Sequence, residues 1–205
     1  MRALSGLILL LVTAGCLDIT PPAGSLPAGD AVVLIGDLRA AVDSTARAGI
    51  NRAIPDAKED VGDSTVVRWV GPFEKSVPCG LGGSRRLVLT VAEYARDTVT
   101  GGAGFSGKGT LSHLNCTFET VFQAEATSLT VSGAPDLSIW FATRTGSDGS
   151  FLDEYTFRGS INWTAGDGRK GRCPVELDVT IGVDAGTGTY ISRYFGNICG
   201  NNFDS

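Results

Sequence analysis

Four cysteines, Cys79, Cys116, Cys173 and Cys199, are the side chains of this 205-residue chain best suited to covalent chemistry. They can pair as disulfides or hold a metal. A zinc site of the usual kind needs CxxC pairs or a cysteine–histidine set. No CxxC pair is present, and His113 is the only histidine. Disulfides are therefore expected. Four cysteines allow three connectivities. Cys79–Cys116 with Cys173–Cys199 is favoured, because sequence neighbours usually sit together in antiparallel folds. On chain-entropy grounds each such loop contributes about 3.5–4 kcal/mol.

Other chemistry is weaker. Gly102 to Thr110 comes close to a phosphate-binding loop, but Gly109 stands where a hydroxyl must follow Lys108. A glycine-rich hairpin connection is the plainer reading, and no nucleotide is expected. A Ser-His-Asp triad would need His113 with Ser106 or Ser112, without the Gly-x-Ser-x-Gly elbow. A structural or surface histidine is expected instead. Asp153-Glu154 and Glu176/Asp178 have the residue types for glycoside hydrolysis. Their simpler reading is a charged outer sheet face. Asp148, Asp167 and Asp184 sit in Gly-containing turns too sparse in oxygen donors for a strong calcium cage. No catalytic residue, metal site or cofactor is predicted. Trp163 shares an apolar phase and reads as core. Trp140, beside Arg144, is either an outward contact residue or is buried against a second layer.

The fifth cysteine is different. Arg2 is followed by an apolar run, Leu7 to Val12, and by Thr13-Ala14-Gly15 ahead of Cys16. A basic start, a short apolar stretch and small residues make a secretory signal peptide. The run falls short of the roughly 20 residues of a membrane span. Thr13-Ala14-Gly15-Cys16 resembles the bacterial lipobox, with Thr13 in place of the commoner Leu. The resemblance implies cleavage before Cys16, acyl chains on that cysteine, and export to a membrane surface. Leu17, where Asp would signal inner-membrane retention, points to the outer membrane. Residues 1–15 would be leader and 16–29, with three prolines, a flexible tether.

Residues 30–205 then form one disulfide-bonded domain. Asp30 reads as the N-cap of a helix over 30–49. Leu34, Leu38, Ala41, Val42 and Thr45 mark its apolar stripe, Asp43 can pair with Arg47 one turn on, and Gly49 suits the C′ position. Beyond residue 64 the period becomes two. Leu87, Leu89 and Val91 alternate with polar neighbours, as do Cys116, Phe118, Thr120, Phe122 and Ala124. Leu137, Ile139 and Phe141 repeat the pattern, followed by Tyr155 to Trp163 and Val175 to Val183. Such alternation means one buried and one wet face. The fold class is mainly β: an antiparallel β-barrel or sandwich of about 7–9 strands with one N-terminal helix.

The chain has a net charge of −5, which argues against nucleic acid and against a polybasic grip on lipid. The expected function is a lipid-anchored envelope lipoprotein, a non-enzymatic binding or structural module. Its partners would be the membrane, through lipid, and an envelope protein or glycan. Two alternatives stand beside it: a glycan-directed hydrolase using Asp/Glu residues, and a carrier of an apolar ligand inside a barrel.

Overall fold

The computed structural model describes residues 24–56, 69–70, 72–97, 99–122, 125–133 and 136–205. Cys16, with the expected leader and the first part of the expected tether, lies outside the described residues, as do Gln123 and Ala124. One helix, α1 (Ala28–Asp56), precedes ten strands: β1 (Trp69–Val70), β2 (Phe73–Pro78), β3 (Gly82–Arg96), β4 (Ala103–Phe122), β5 (Glu125–Gly133), β6 (Leu137–Thr145), β7 (Phe151–Ala165), β8 (Lys170–Asp184), β9 (Thr189–Ile198) and β10 (Asn201–Asp204). The fold is mainly β with a single helix, as the two-residue period implies.

All ten strands join one sheet, and neighbouring strands pair antiparallel. Strands β1 and β2 share one edge of β3. Strands β5 and β6 share the space between β4 and β7. The ten segments thus fill eight positions. The helix decides the sheet's shape. It touches β2, where the Lys75 ammonium donates to the Ser44 carbonyl at 2.9 Å. Its flank also lines a groove with Tyr194 of β9 and Phe203 of β10. A flat sheet would hold β2 and β9 roughly 29 Å apart at about 4.8 Å per strand, whereas a helix is only about 10–12 Å across. The sheet therefore curls around the helix. Inward side chains of the strands and of α1 form one core, including Leu34, Leu38, Phe105, Phe141, Phe157 and Val179. The rings of Phe105 and Phe141 tilt together at 5.5 Å.

Two bulges change the inward phase. Leu89 pairs with Gly109, but Val91 pairs with Lys108. The extra residue, Thr90, turns Val91 outward, to 38% exposure, and brings Ala92 and Tyr94 inward. This corrects the expected inward position of Val91, because one inserted residue flips every later side chain. The second bulge lies at Asn115, which has φ of 50°. Leu111 and His113 are buried before it and Cys116 and Phe118 after it. Asparagine tolerates this left-handed backbone better than most residues.

The helix also departs from expectation. It begins at Ala28, so Asp30 occupies the first turn rather than the cap. There its carboxylate faces the positive end of the helix dipole. Gly49 lies inside the helix, which continues to Asp56. One internal glycine costs only about 1 kcal/mol, and Asn51-Arg52-Ala53-Ile54 carry the helix on. Residues 24–27, expected to belong to a flexible tether, are held on the sheet instead. Leu26 is buried, its N–H donates to Cys199 O at 3.0 Å, and the Asn201 amide donates to Leu26 O at 2.8 Å. The Trp163 indole N–H donates to Gly24 O at 3.0 Å. Apolar burial and these backbone bonds strap residues 24–27 onto the sheet.

Candidate functional site

Cys79 is joined to Cys116 and Cys173 to Cys199, with Cα separations of 5.4 and 4.7 Å. All four sulfurs lie in the core. The first bond ties the end of β2 to β4, and the second ties β8 to the turn before β10. Both lock sheet regions near the strapped N-terminal segment or the helix.

The glycine-rich stretch from Gly102 is mostly strand. Gly107 and Gly109 sit within β4, and packing explains them. A Cβ on Gly109 would stand 1.9 Å from the Val88 carbonyl oxygen, and one on Gly107 would stand 3.0 Å from the Phe141 ring. Lys108 is exposed on the outer face.

The acidic candidates separate. Asp153 shares the inward phase of Tyr155, while Glu154 faces outward and meets Arg144 at 3.4 Å. They cannot act on one substrate bond from the same side. Glu176 and Asp178 do share the outer face. Burial works to raise the Asp178 carboxyl, but hydrogen bonds from Arg158 and Thr156 outweigh it and hold the group below its ordinary range. Arg158 Nη2 reaches both Asp178 oxygens at 2.8 Å, and the Thr156 hydroxyl donates at 2.8 Å. Asp148, Asp167 and Asp184 each accept backbone N–H groups of their own turns.

Trp140 and Arg144 lie on β6 with their side chains outward, and Ile139 and Phe141 on either side of Trp140 are buried. Trp140 is 42% exposed and faces away from α1, so the buried reading does not hold. Its directly opposite neighbours are Lys108 of β4 and Thr156 of β7. Beside it lies a hollow of about 200 Å³. Small residues Ala95, Gly104, Ser106 and Ala142 form its floor, and Trp140, Arg144 and Glu93 rise around it. Arg144 also borders a second hollow, of about 420 Å³, over the β6–β7 and β8–β9 turns. One guanidinium thus stands between two concave patches.

No family model matches the chain. No curated protein and no solved structure matches it either.

Two polar clusters between helix and sheet were not anticipated. Asp37 of α1 accepts a hydrogen bond from Arg85 of β3 and lies 3.3 Å from His113 Nε2 of β4. The His113 side chain is fully buried, and its Nδ1 has no hydrogen-bond partner among the described residues. His113 is therefore structural. Six residues along the helix, Asp43 accepts the Tyr155 hydroxyl. The expected Asp43 partner was Arg47; the tertiary partner is a phenol on β7. Burial first, and then the Asp43 hydrogen bond, push the Tyr155 phenol well above its usual range. Burial and the neighbouring Asp43 charge also raise the Asp153 carboxyl, against the opposing pull of Tyr155, Arg39 and Arg47. A signal for these clusters exists in the chain. Arg85, His113 and Asp153 fall on inward phases, and Asp37 and Asp43 flank the apolar stripe of α1. Which of them meet depends on how the sheet curls.

Proposed function

We propose that this protein is an exported, lipid-anchored envelope lipoprotein that acts as a binding module through the outer face of its sheet. The observation that carries the binding role is the placement of Trp140 and Arg144. The exposed Trp140 and the Arg144 guanidinium border one hollow on the outer sheet face, and Arg144 borders a second beside it. Tryptophan and arginine are the side chains most enriched at binding hot spots. The partner class is an envelope protein or glycan, either of which can use a flat ring and a planar cation. The interior offers less support for a carrier role, because α1 and its apolar stripe occupy the place that a barrel ligand would take.

Export is supported by the two disulfides, which persist in oxidising compartments. The anchor rests on the lipobox resemblance at Cys16. Eight residues, 16–23, would separate the lipid from the strapped segment, a reach of at most roughly 28 Å. The domain would thus work close to its membrane, on the outer membrane if Leu17 has the significance the resemblance implies.

Two measurements test this reading. Intact mass of the protein purified from a bacterial envelope should show Cys16 as the first residue, carrying acyl chains. A chain beginning at Leu17 or at Met1 refutes the anchor. For binding, immobilised protein should retain an envelope protein or glycan that Trp140→Ala and Arg144→Ala each release at least about tenfold more readily, a loss of about 1.4 kcal/mol or more. Both variants should keep the parent's thermal midpoint, since both side chains are exposed. Equal retention by parent and variants removes this face as the site.

A further inference from the structure

A third concave feature lies between α1 and the β9–β10 edge of the sheet. Val32, Ile35, Gly36 and Arg39 of α1 face Tyr194 of β9 and Phe203 of β10 across a groove of about 270 Å³. The walls are apolar, and Val32 is 57% exposed. Gly36 supplies no side chain, and none of the described residues stands within 4 Å of where its Cβ would be. The groove is therefore open at its middle. Its volume is just below the roughly 300–1,000 Å³ of small-molecule sites. That is room for one acyl chain and not for a two-chain phospholipid. A protein interface of standard size would cover about 800 Å² on each partner, far more than these six residues offer.

The charge at one end narrows the occupant. Arg39 follows Ile35 by one helical turn and lines the groove with the apolar residues. Its Nε–H is buried without a hydrogen-bond acceptor among the described residues. Arg39 shares an electrostatic neighbourhood with Asp153 and Tyr155 on β7, which Asp43 of α1 also joins and, for Asp153, Arg47, while Tyr194 lines the groove with it. Asp43 already accepts the Tyr155 hydroxyl. The Asp153 carboxyl is shifted toward its neutral form. Two guanidiniums therefore stand against one committed carboxylate and one that ionises reluctantly, which leaves room for an added anion.

We propose that this groove is a binding site for a fatty acid, with the acyl chain along Val32, Ile35, Tyr194 and Phe203 and the carboxylate at Arg39. The site shares no residue with the Trp140 face, and it stands or falls separately from the function proposed for that face.

The test uses the exported chain carrying Cys16→Ser, so that no attached lipid competes. Titration calorimetry with dodecanoate should show saturable binding with one site. Gly36→Leu, which fills the groove from an open helix position, should abolish it while leaving the thermal midpoint equal or higher. Arg39→Gln should weaken dodecanoate at least tenfold and leave dodecanol unchanged. Trp140→Ala should alter neither. Absence of saturable dodecanoate binding, or binding that survives Gly36→Leu, overturns the site. Binding indifferent to Arg39→Gln overturns the assignment of an acid.

Discussion

Asp153 is the residue whose ionisation should be felt most in stability. It lies on the inward face of β7, partly buried and close to Asp43. Burial and that neighbouring charge raise its carboxyl above the usual range. The folded protein thus holds this proton more tightly than the unfolded chain does. The associated stability is present below the ordinary carboxylate range and is lost as pH rises through the raised value. Asp153→Asn keeps the shape and removes the charge. The variant should melt with the parent below about pH 4, near the usual aspartate value, and above it at neutral pH. A gap in thermal midpoint that opens with rising pH supports the reading, and one that closes with rising pH contradicts it. The Asp37 cluster is different in kind, since one carboxylate there serves both Arg85 and His113. Removing one partner of such a buried set leaves charge unpaired, so the set ties the middle of α1 to β3 and β4.

Among the elements, β4 carries the most geometry. It pairs with β3 along its length and with β6 and β5 in turn on its other edge. The β3 bulge at Thr90 needs Gly109 of β4 beside it, because any Cβ there would collide with the Val88 carbonyl. Gly109→Ala should therefore cost about 3 kcal/mol, at the upper end of ordinary single substitutions. Chemical denaturation would read this as a lower midpoint with an unchanged slope. A cost below about 0.5 kcal/mol, the range of neutral surface changes, would show that the bulge is not pinned there. The same bulge turns Val91 outward, beside Lys108 and in the row that contains Trp140. The backbone irregularity thus shapes the proposed binding face. The alternation of β6, β7 and β8 was legible because those strands carry no bulge that flips their phase. The phase change in β3 was not, because Val91 and Ala92 are both acceptable core residues by type.

For the whole molecule, closure is shared between helix, strap and disulfides. No strand pairing joins the β2 edge to the β10 edge among the described residues. The helix fills the gap, residues 24–27 bind the β8–β10 corner, and each disulfide ties one region of the sheet. The loops of 37 and 26 residues closed by the two bonds give about 3.5–4 kcal/mol each on chain-entropy grounds. A domain typically has only about 5–15 kcal/mol in total. Replacing Cys173 and Cys199 by Ser should thus lower the free energy of unfolding by about 3 kcal/mol, measured in urea. Loss of the corner should also expose Leu26 and Trp163, read as faster hydrogen exchange at Leu26. An unchanged unfolding midpoint would place closure in the helix alone.

The pattern of residue types determined the class of this protein by itself. Period-two apolarity requires strands with one buried face, four cysteines without metal-ligand spacing imply disulfides, and Leu34, Leu38 and Val42 require a helix against them. Each of these follows from side-chain direction and solvent, which act locally. The tertiary structure decided what no local rule contains. It set the curl that lets one helix touch both β2 and β7, and it paired Asp37 with His113 and Asp43 with Tyr155. It also turned Trp140 outward beside a hollow and left the groove beside Gly36. These depend on which distant segments meet, and contacts across 76 and 112 residues have no signature in either partner alone.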